Sequence, residues 1–527
     1  MAPFTLVDLI LALVGLYVVK SFLNGRRFPA PLPPGPKGKP LIGNLKDLPS
    51  VGEQEWLHWD KHKYLYGPIS SVTVSGQTMV IISDKQIAFD LMDKRSTITS
   101  SRPGMVFAGE MVGWENALSS LTYSDRFRAY RKNVRMHLGT KQAVSRLNLL
   151  QDIEVRRFLL RVLEEPDKLF HHIRTAAGAI ILKITYGYTI EPRGSDPLVG
   201  LADEALIQFC LATVPGAWLV DTLPFLRYLP DWIPGMDFKR TAARWRKTIT
   251  EVAEKPYAFV NKQMADGAAT PSYTSKLLNK DNLSPEEQFV VKWSAASLYS
   301  GGADTTVSSM MTFFLAMTMY PEVQRKAQEQ IDCVIGNDRL PGFNDREELP
   351  YVNAIVKEVL RWHPIVPMGL PHMTTEDDIY NGHFIPKGSL LMPNIWGFMH
   401  DQNTYHDPMT FKPERFLGVD GRSPEMDPHQ LGFGFGRRVC PGRELADSSL
   451  YLTIVQSLSV FNISKAVENG KEVEPVVGFT SGIVSHPLEY RTSVKPRSSK
   501  AEALIRSVEE EYPFQSGSAK LLNGIKV

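Results

Sequence analysis

Phe433-Gly434-Phe435-Gly436-Arg437-Arg438-Val439-Cys440-Pro441-Gly442 decides how this chain is read, because its cysteine stands alone. The chain holds three cysteines, Cys210, Cys333 and Cys440, with no C-x-x-C pair among them. A four-cysteine zinc or iron–sulfur site therefore cannot be assembled. One thiolate in a glycine-rich loop suits instead the axial position of a haem iron, where it pushes electron density onto the metal and favours O–O cleavage. Gly436 and Gly442 can adopt backbone conformations closed to other residues, letting the loop curl under a flat macrocycle with its N–H groups turned toward sulfur. Arg438 offers a fixed fork of donors to a haem propionate, and Phe433 can pack on the proximal side and exclude water.

With every fixed position filled, F-x-x-G-x-R-x-C-x-G resembles the haem-binding loop of the cytochrome P-450 family. The resemblance implies haem b as cofactor, its iron ligated by Cys440. It also implies a mainly α fold with a small β region, in a single large catalytic domain.

Upstream, Ser284-Pro285-Glu286-Glu287 combines a serine cap, a proline in the first turn and a glutamate that completes a capping box. A helix is predicted from there to Tyr320-Pro321. At about 1.5 Å per residue it would run roughly 50 Å, enough to cross the face of a cofactor. Midway lies Gly301-Gly302-Ala303-Asp304-Thr305-Thr306. Two glycines inside a helix cost about 1 kcal/mol each relative to alanine, so the segment asks for a compensating reason. Small residues would open space above the iron, and the Thr305 hydroxyl beside the Asp304 carboxylate can relay protons to a bound oxygen species. The structural alternative is glycines that admit a neighbouring helix and a threonine bonded back to a carbonyl. The segment is similar to the family's A/G-G-x-D/E-T-T/S oxygen-activation motif, which implies Thr305 beside dioxygen and Asp304 in the proton path.

Glu358-Val359-Leu360-Arg361 sets opposite charges three apart on one helical face, and Phe411-Lys412-Pro413-Glu414-Arg415-Phe416 supplies another arginine. These resemble the family's E-x-x-R and P-E-R-F elements and imply a Glu358–Arg361–Arg415 charge network behind the haem. Phe127-Arg128-Ala129-Tyr130-Arg131 matches the family's W-R-x-x-R except at its first position, where Phe127 has no indole N–H to donate. Arg131, His372 and Arg438 are the implied propionate ligands. Arg128, Arg131, Lys132 and Arg135 recur at helical spacing. The stripe they form is either a solvated face or a dock for an acidic, flavin-bearing electron donor.

Residues 70–74 and 78–82 flank Ser75-Gly76-Gln77 and read as a hairpin, while 383–388 reads as a strand and turn. Residues 3–22 are mostly apolar, interrupted by Asp8 and Gly15, and about 18 to 20 such residues suffice to cross a hydrocarbon core. Lys20, Arg26 and Arg27 follow, favouring a catalytic body on the cytosolic side. Residues 1–24 are therefore expected as a transmembrane anchor, with a helix lying on the membrane surface as the alternative. Residues 25–40, containing Pro29-Ala30-Pro31-Leu32-Pro33-Pro34-Gly35-Pro36, form a stiff hinge resembling that of microsomal members. Residues 41–497 are assigned to the catalytic domain and 498–527 to an extension that either packs or stays loose. Flexible breaks are expected at 265–275 and 420–428. This organisation implies a single-pass protein of the endoplasmic reticulum membrane.

The 527 residues carry 59 basic against 57 acidic side chains, so nothing global points to nucleic acid. No G-x-G-x-x-G follows a strand, so electrons must come from outside. The resemblance implies NADPH–cytochrome P-450 reductase, with cytochrome b5 as an optional second donor. It implies insertion of one atom of O₂ into a hydrophobic small molecule. The family's pocket would fall at 107–121, 206–245, Ala296, Ser300, 365–370 and 479–483. Residues 358–364 together with Pro371-His372 resemble fungal members that decorate secondary metabolites, which implies a terpenoid, polyketide or alkaloid. Two rival readings remain: a haem-thiolate isomerase or dehydratase independent of O₂ and reductase, and a non-catalytic haem- or sterol-binding membrane protein.

Overall fold

A computed structural model describes residues 12–13, 15–17, 28–40, 42–50, 52–214, 216–418 and 421–525. The principal helices are α1 (Asp125–Leu138), α2 (Asn148–Glu164), α3 (Leu169–Tyr186), α4 (Pro197–Ala212), α5 (Asp237–Ala265), α6 (Pro285–Met319), α7 (Pro321–Val334), α8 (Pro350–Trp362) and α9 (Arg443–Val460). The body is mainly helical, as expected. The anchor expected at 1–24 lies outside the described residues except at 12–13 and 15–17. Among the described residues no helix is long and apolar enough to cross a membrane.

α6 starts where its cap demands. The Ser284 hydroxyl accepts from Glu287 N–H, the Glu287 carboxylate accepts from Ser284 N–H, and Pro285 takes the first helical position. The helix then passes through the core, burying Phe313, Phe314 and Met317 completely. Each such side chain contributes roughly 1.5–3 kcal/mol by leaving water. Its closest neighbour is α3, and Gly302 is the reason: a β-carbon there would lie 2.8 Å from Cγ1 of Ile181. α4 is capped by Asp196, which accepts from Leu198 N–H and Val199 N–H.

The main sheet has the order β1 (Ile69–Val74), β2 (Gln77–Ile82), then Leu390–Pro393, then His372–Met373. β1 and β2 pair antiparallel, Ile69 opposite Ile82, around Ser75 and Gly76 at φ +49° and +84°. Two left-handed residues match the twist of a two-residue hairpin. The strand at 383–385 pairs with Asp378–Tyr380 through Asn381-Gly382, at φ +48° and +78°.

Two terminal segments pack on the body. The proline segment is laid against the sheet: Ser71 donates through N–H to Pro34 O at 2.8 Å and through its hydroxyl to Pro33 O at 2.6 Å. A side chain at Gly35 would collide with the Ser71 carbonyl. The segment after Arg497 folds onto the body through a helix at Ser499–Arg506, whose Ile505 is fully buried. Arg157 on α2 donates to the carbonyls of Tyr512 and Pro513, and its guanidinium lies 5.5 Å from the Phe514 ring centroid.

Candidate active site

A cavity of about 350 Å³ opens between the Cys440 loop and the middle of α6. Cys440 lines it from one side; Gly301, Asp304 and Thr305 line it from α6.

The loop is shaped by Gly434 and Gly436, at φ +79° and +54°. A side chain at Gly436 would strike the Met92 carbonyl, and its N–H is taken by the Asp93 carboxylate. Gly442 departs from expectation: its φ is −95°, open to any residue. Its contribution is a backbone N–H whose dipole favours the Cys440 thiolate. Cys440 N–H donates to Phe433 O at 2.8 Å, closing the loop on itself. Burial pushes the Cys440 thiol up, while the Gly442 N–H and the charges of Arg131 and Arg443 pull the other way.

Phe433 is held by a group that no sequence motif announced. The His429 ring stacks on it, centroids 5.6 Å apart, with Nδ1 2.7 Å from Asp427 and Nε2 3.0 Å from Asp447. Burial opposes the imidazolium, but the two carboxylates outweigh it and raise the pKa to about 9. Asp447 also pairs with Arg346 at 2.6 Å and Asp427 with Lys357 at 2.9 Å. Asp427-x-His429 just ahead of Phe433 was the available signal, but Asp447 and Arg346 join it only in the fold.

Along one edge the cavity gathers Arg102, Arg131, His372 and Arg438. Arg131 donates to Val439 O at 2.6 Å, and Arg438 donates to Ser100 O at 2.7 Å and Leu121 O at 2.6 Å. Phe127 supplies its ring face, 3.8 Å from the Arg438 guanidinium, where an indole N–H was absent. Arg102, unremarked in the sequence, is buried and donates to Leu370 O at 2.7 Å and Pro371 O at 2.6 Å. The His372 Nδ1–H donates to Thr99 O at 2.9 Å, which turns Nε2 toward the cavity. Burial, then the neighbouring guanidinium of Arg131, brings Arg438 down to about 9, and burial, then Arg102, drives His372 well below its ordinary range. Among the described residues none of these three arginines has a carboxylate partner. Like charges packed against each other and against carbonyls suit an anionic guest.

Arg131 therefore leaves the basic stripe. Arg128, Lys132 and Arg135 remain exposed on α1, and Arg131 turns inward.

The two glycines of α6 have separate uses. Gly302 admits α3, whereas a β-carbon at Gly301 would meet nothing within 4 Å. Thr305 is bonded back to Gly301 O at 2.7 Å, the structural alternative, while still lining the cavity. Behind the site Glu358 is wholly buried and accepts from Arg361 at 2.7 and 2.8 Å and from Arg415 at 3.2 Å.

Of the expected pocket segments, Trp114, Ala117, Leu118, Leu206, Phe209, Ser300, Ile365 and Ile483 reach the cavity. Phe107 and Trp245 do not. Phe107 stacks on Trp218 at 3.6 Å with Trp245 edge-on, forming core. Ser297 takes the place expected for Ala296, which is buried in the core. Phe479 stacks on His363 at 3.5 Å instead of lining the cavity.

One enclosed cysteine facing a helix that carries a carboxylate–hydroxyl pair, with cations on a third side, defines a haem-thiolate oxidoreductase. The comparisons agree. The family model for cytochrome P-450 matches residues 33–494. A cytochrome P-450 monooxygenase, claR, of Ampulloclitocybe clavipes is 52% identical, covering 96% of this chain and 94% of its own length. The monooxygenase ppsD of Aspergillus oryzae is 46% identical over 99% of both chains, and an O-methylsterigmatocystin oxidoreductase of Aspergillus flavus is 43% identical over 96% of both. The chain belongs to the cytochrome P-450 family. It is a monooxygenase whose cofactor is haem, held through a cysteine thiolate, and Cys440 is the cysteine that lines the cavity.

Proposed function

We propose that this enzyme inserts one atom of O₂ into a neutral, hydrophobic secondary metabolite of terpenoid, polyketide or alkaloid type. The observation that carries this is the distribution of charge around the cavity. Cations crowd the propionate edge, while the walls beyond Cys440 are Trp114, Leu118, Leu206, Phe209, Ile365 and Ile483. A charged substrate would find no partner there.

Haem bound at Cys440 supplies O₂ activation and one-electron chemistry. The chain's own residues do the rest. Arg131 and Arg438, joined by Arg102, would hold the propionates, and His372 would join them by taking up a proton at Nε2 as the anion arrives. The Gly442 N–H steadies the thiolate, and His429 stacked on Phe433 keeps the loop closed. Glu358, Arg361 and Arg415 fix the strands of chain behind the cofactor. Thr305, released from Gly301 O, presents a hydroxyl to the cavity, and Asp304 supplies its proton. The apolar walls exclude water and orient one substrate carbon. This carboxylate–hydroxyl pair favours O₂ chemistry over the isomerase, dehydratase and binding-protein readings.

NADPH–cytochrome P-450 reductase is the electron source, docking on Arg128, Lys132 and Arg135, with cytochrome b5 as an optional donor. Placement at the endoplasmic reticulum membrane draws support from the apolar run 3–22 and from the segment 216–236. There Leu219, Phe225, Tyr228 and Trp232 are exposed, Trp232 by 81%.

The test is turnover of candidate fungal metabolites with a reductase, alongside the carbon monoxide difference spectrum of the reduced protein. Cys440→Ser is expected to lose the thiolate-type band, and Thr305→Ala to keep it while product falls about 10²-fold or more. A Cys440→Ser protein with unchanged spectrum and turnover would overturn the reading.

A further inference from the structure

Asp304 does not stand alone at the cavity wall. Its carboxylate is 3.0 Å from Nε2 of His486, a residue on the turn 479–487 far away in sequence. The contact is fixed by backbone. Thr480 N–H donates to His486 O at 2.8 Å, His486 N–H donates to the Thr480 hydroxyl at 3.0 Å, and Ser308 donates its hydroxyl to Ser485 O at 2.6 Å. Ser308 lies one helical turn beyond Asp304, so the bond that pins the turn to α6 also presents His486 to the carboxylate.

The other ring nitrogen is the informative one. Nδ1 of His486 is buried and has no hydrogen-bond partner among the described residues. An unmet buried polar atom costs about 1–3 kcal/mol, so it invites a use. On α4, Asp203 is partly exposed and lies 4.0 Å from Arg174 of α3. Its carboxyl feels the charges of both Asp304 and His486. Burial first, opposed by Arg174, raises Asp203 to about 6. The imidazole is paired with Asp304 on α6 and lies in the field of Asp203 on α4 and His363 after α8; Arg174 on α3 faces Asp203, and Cys210 on α4 feels the charge of Asp304.

We propose that His486 relays protons from the surface at Asp203 to Asp304. His486 touches no reacting atom; it acts through Asp304 and is a positioning and relay residue. When Asp304 has released its proton into the cavity, the carboxylate takes the proton on Nε2. In the same step Nδ1 takes a proton from the Asp203 carboxylic acid, so the ring stays neutral; reorientation of the ring then returns an N–H to Asp304, and Asp203 takes a proton from solvent. One proton enters at the surface for each one delivered, and no electrons move. The inference rests on the monooxygenase reading, whose stoichiometry consumes two protons per turnover.

The holoenzyme with reductase and ethoxycoumarin as probe supplies the test. In His486→Leu, hydrogen peroxide released per NADPH is expected to rise several-fold and the solvent isotope effect to grow. The carbon monoxide band and the product formed with added hydrogen peroxide, which brings its own protons, should stay unchanged. His486→Gln, which keeps a hydrogen bond to Asp304 without a titrating ring, should uncouple equally. In resting protein, infrared titration should show a protonated carboxyl lost with a midpoint near 6, absent in Asp203→Asn and shifted upward in His486→Leu. Unchanged coupling in His486→Leu, restored coupling in His486→Gln, a parallel fall in peroxide-driven product, or an infrared band indifferent to His486 would each overturn the relay. Failure of the monooxygenase reading would look different, with no product by either route in the parent enzyme.

Discussion

The two walls of the cavity are built on opposite plans. On the Cys440 side nearly every polar group is tied to a partner in a charged clasp: His429 between Asp427 and Asp447, Arg346 on Asp447, and Glu358 between Arg361 and Arg415. On the α6 side, among the described residues, the helix carries an unfilled space at Gly301, a threonine bonded to its own helix, and a carboxylate whose partner has a free ring nitrogen. One wall is held so that a ligand bond keeps its geometry. The other keeps unused hydrogen-bonding capacity, as proton delivery needs.

The sharpest way to break that contrast is to cut the clasp. Arg361→Ala would leave the buried Glu358 carboxylate with Arg415 as its one cation and cost about 3–5 kcal/mol, so the variant is expected to melt far below the parent and to accumulate little haem. Thermal denaturation and haem content check this. The α6 wall is divided by a pair of glycines. Gly302→Ala pushes a methyl into Ile181 and is expected to lose about 1–3 kcal/mol, a loss the same denaturation series reads. Gly301→Ala meets open space and is expected to gain up to about 1 kcal/mol while shrinking the cavity and changing which metabolites are accepted. Equal melting temperatures for the two would erase the distinction.

The clasp also has a pH signature. His429 is raised in the folded protein from 6.5 to about 9, so its contribution is complete below 6.5 and is lost as pH rises through about 9. The melting temperature should fall across that window, and His429→Gln should flatten the fall. The smallest effect belongs to the surface. Lys132→Glu is expected to leave stability within about 0.5 kcal/mol of the parent and to slow reduction by the reductase chiefly at low salt. Stopped-flow reduction at two ionic strengths checks it.

What was legible in the sequence follows from range. The α6 cap, the hairpin at Ser75-Gly76 and the Cys440 loop are written in contiguous residues, where spacing alone sets geometry. His486, Arg102 and Asp447 reach the site from separate segments and gave no local signal. Gly442 misled for a different reason: a glycine can serve through its N–H without using its conformational freedom. Phe107 and Trp245 misled because an aromatic run that could line a pocket can equally fill a core.

The proline segment sets a mechanical boundary condition. Because Ser71 grips the carbonyls of Pro33 and Pro34 from the first strand of the sheet, a pull applied ahead of Phe28 is borne by that strand as shear. The load reaches the sheet through Pro33 and Pro34, so this part of the chain works as a bracket on β1.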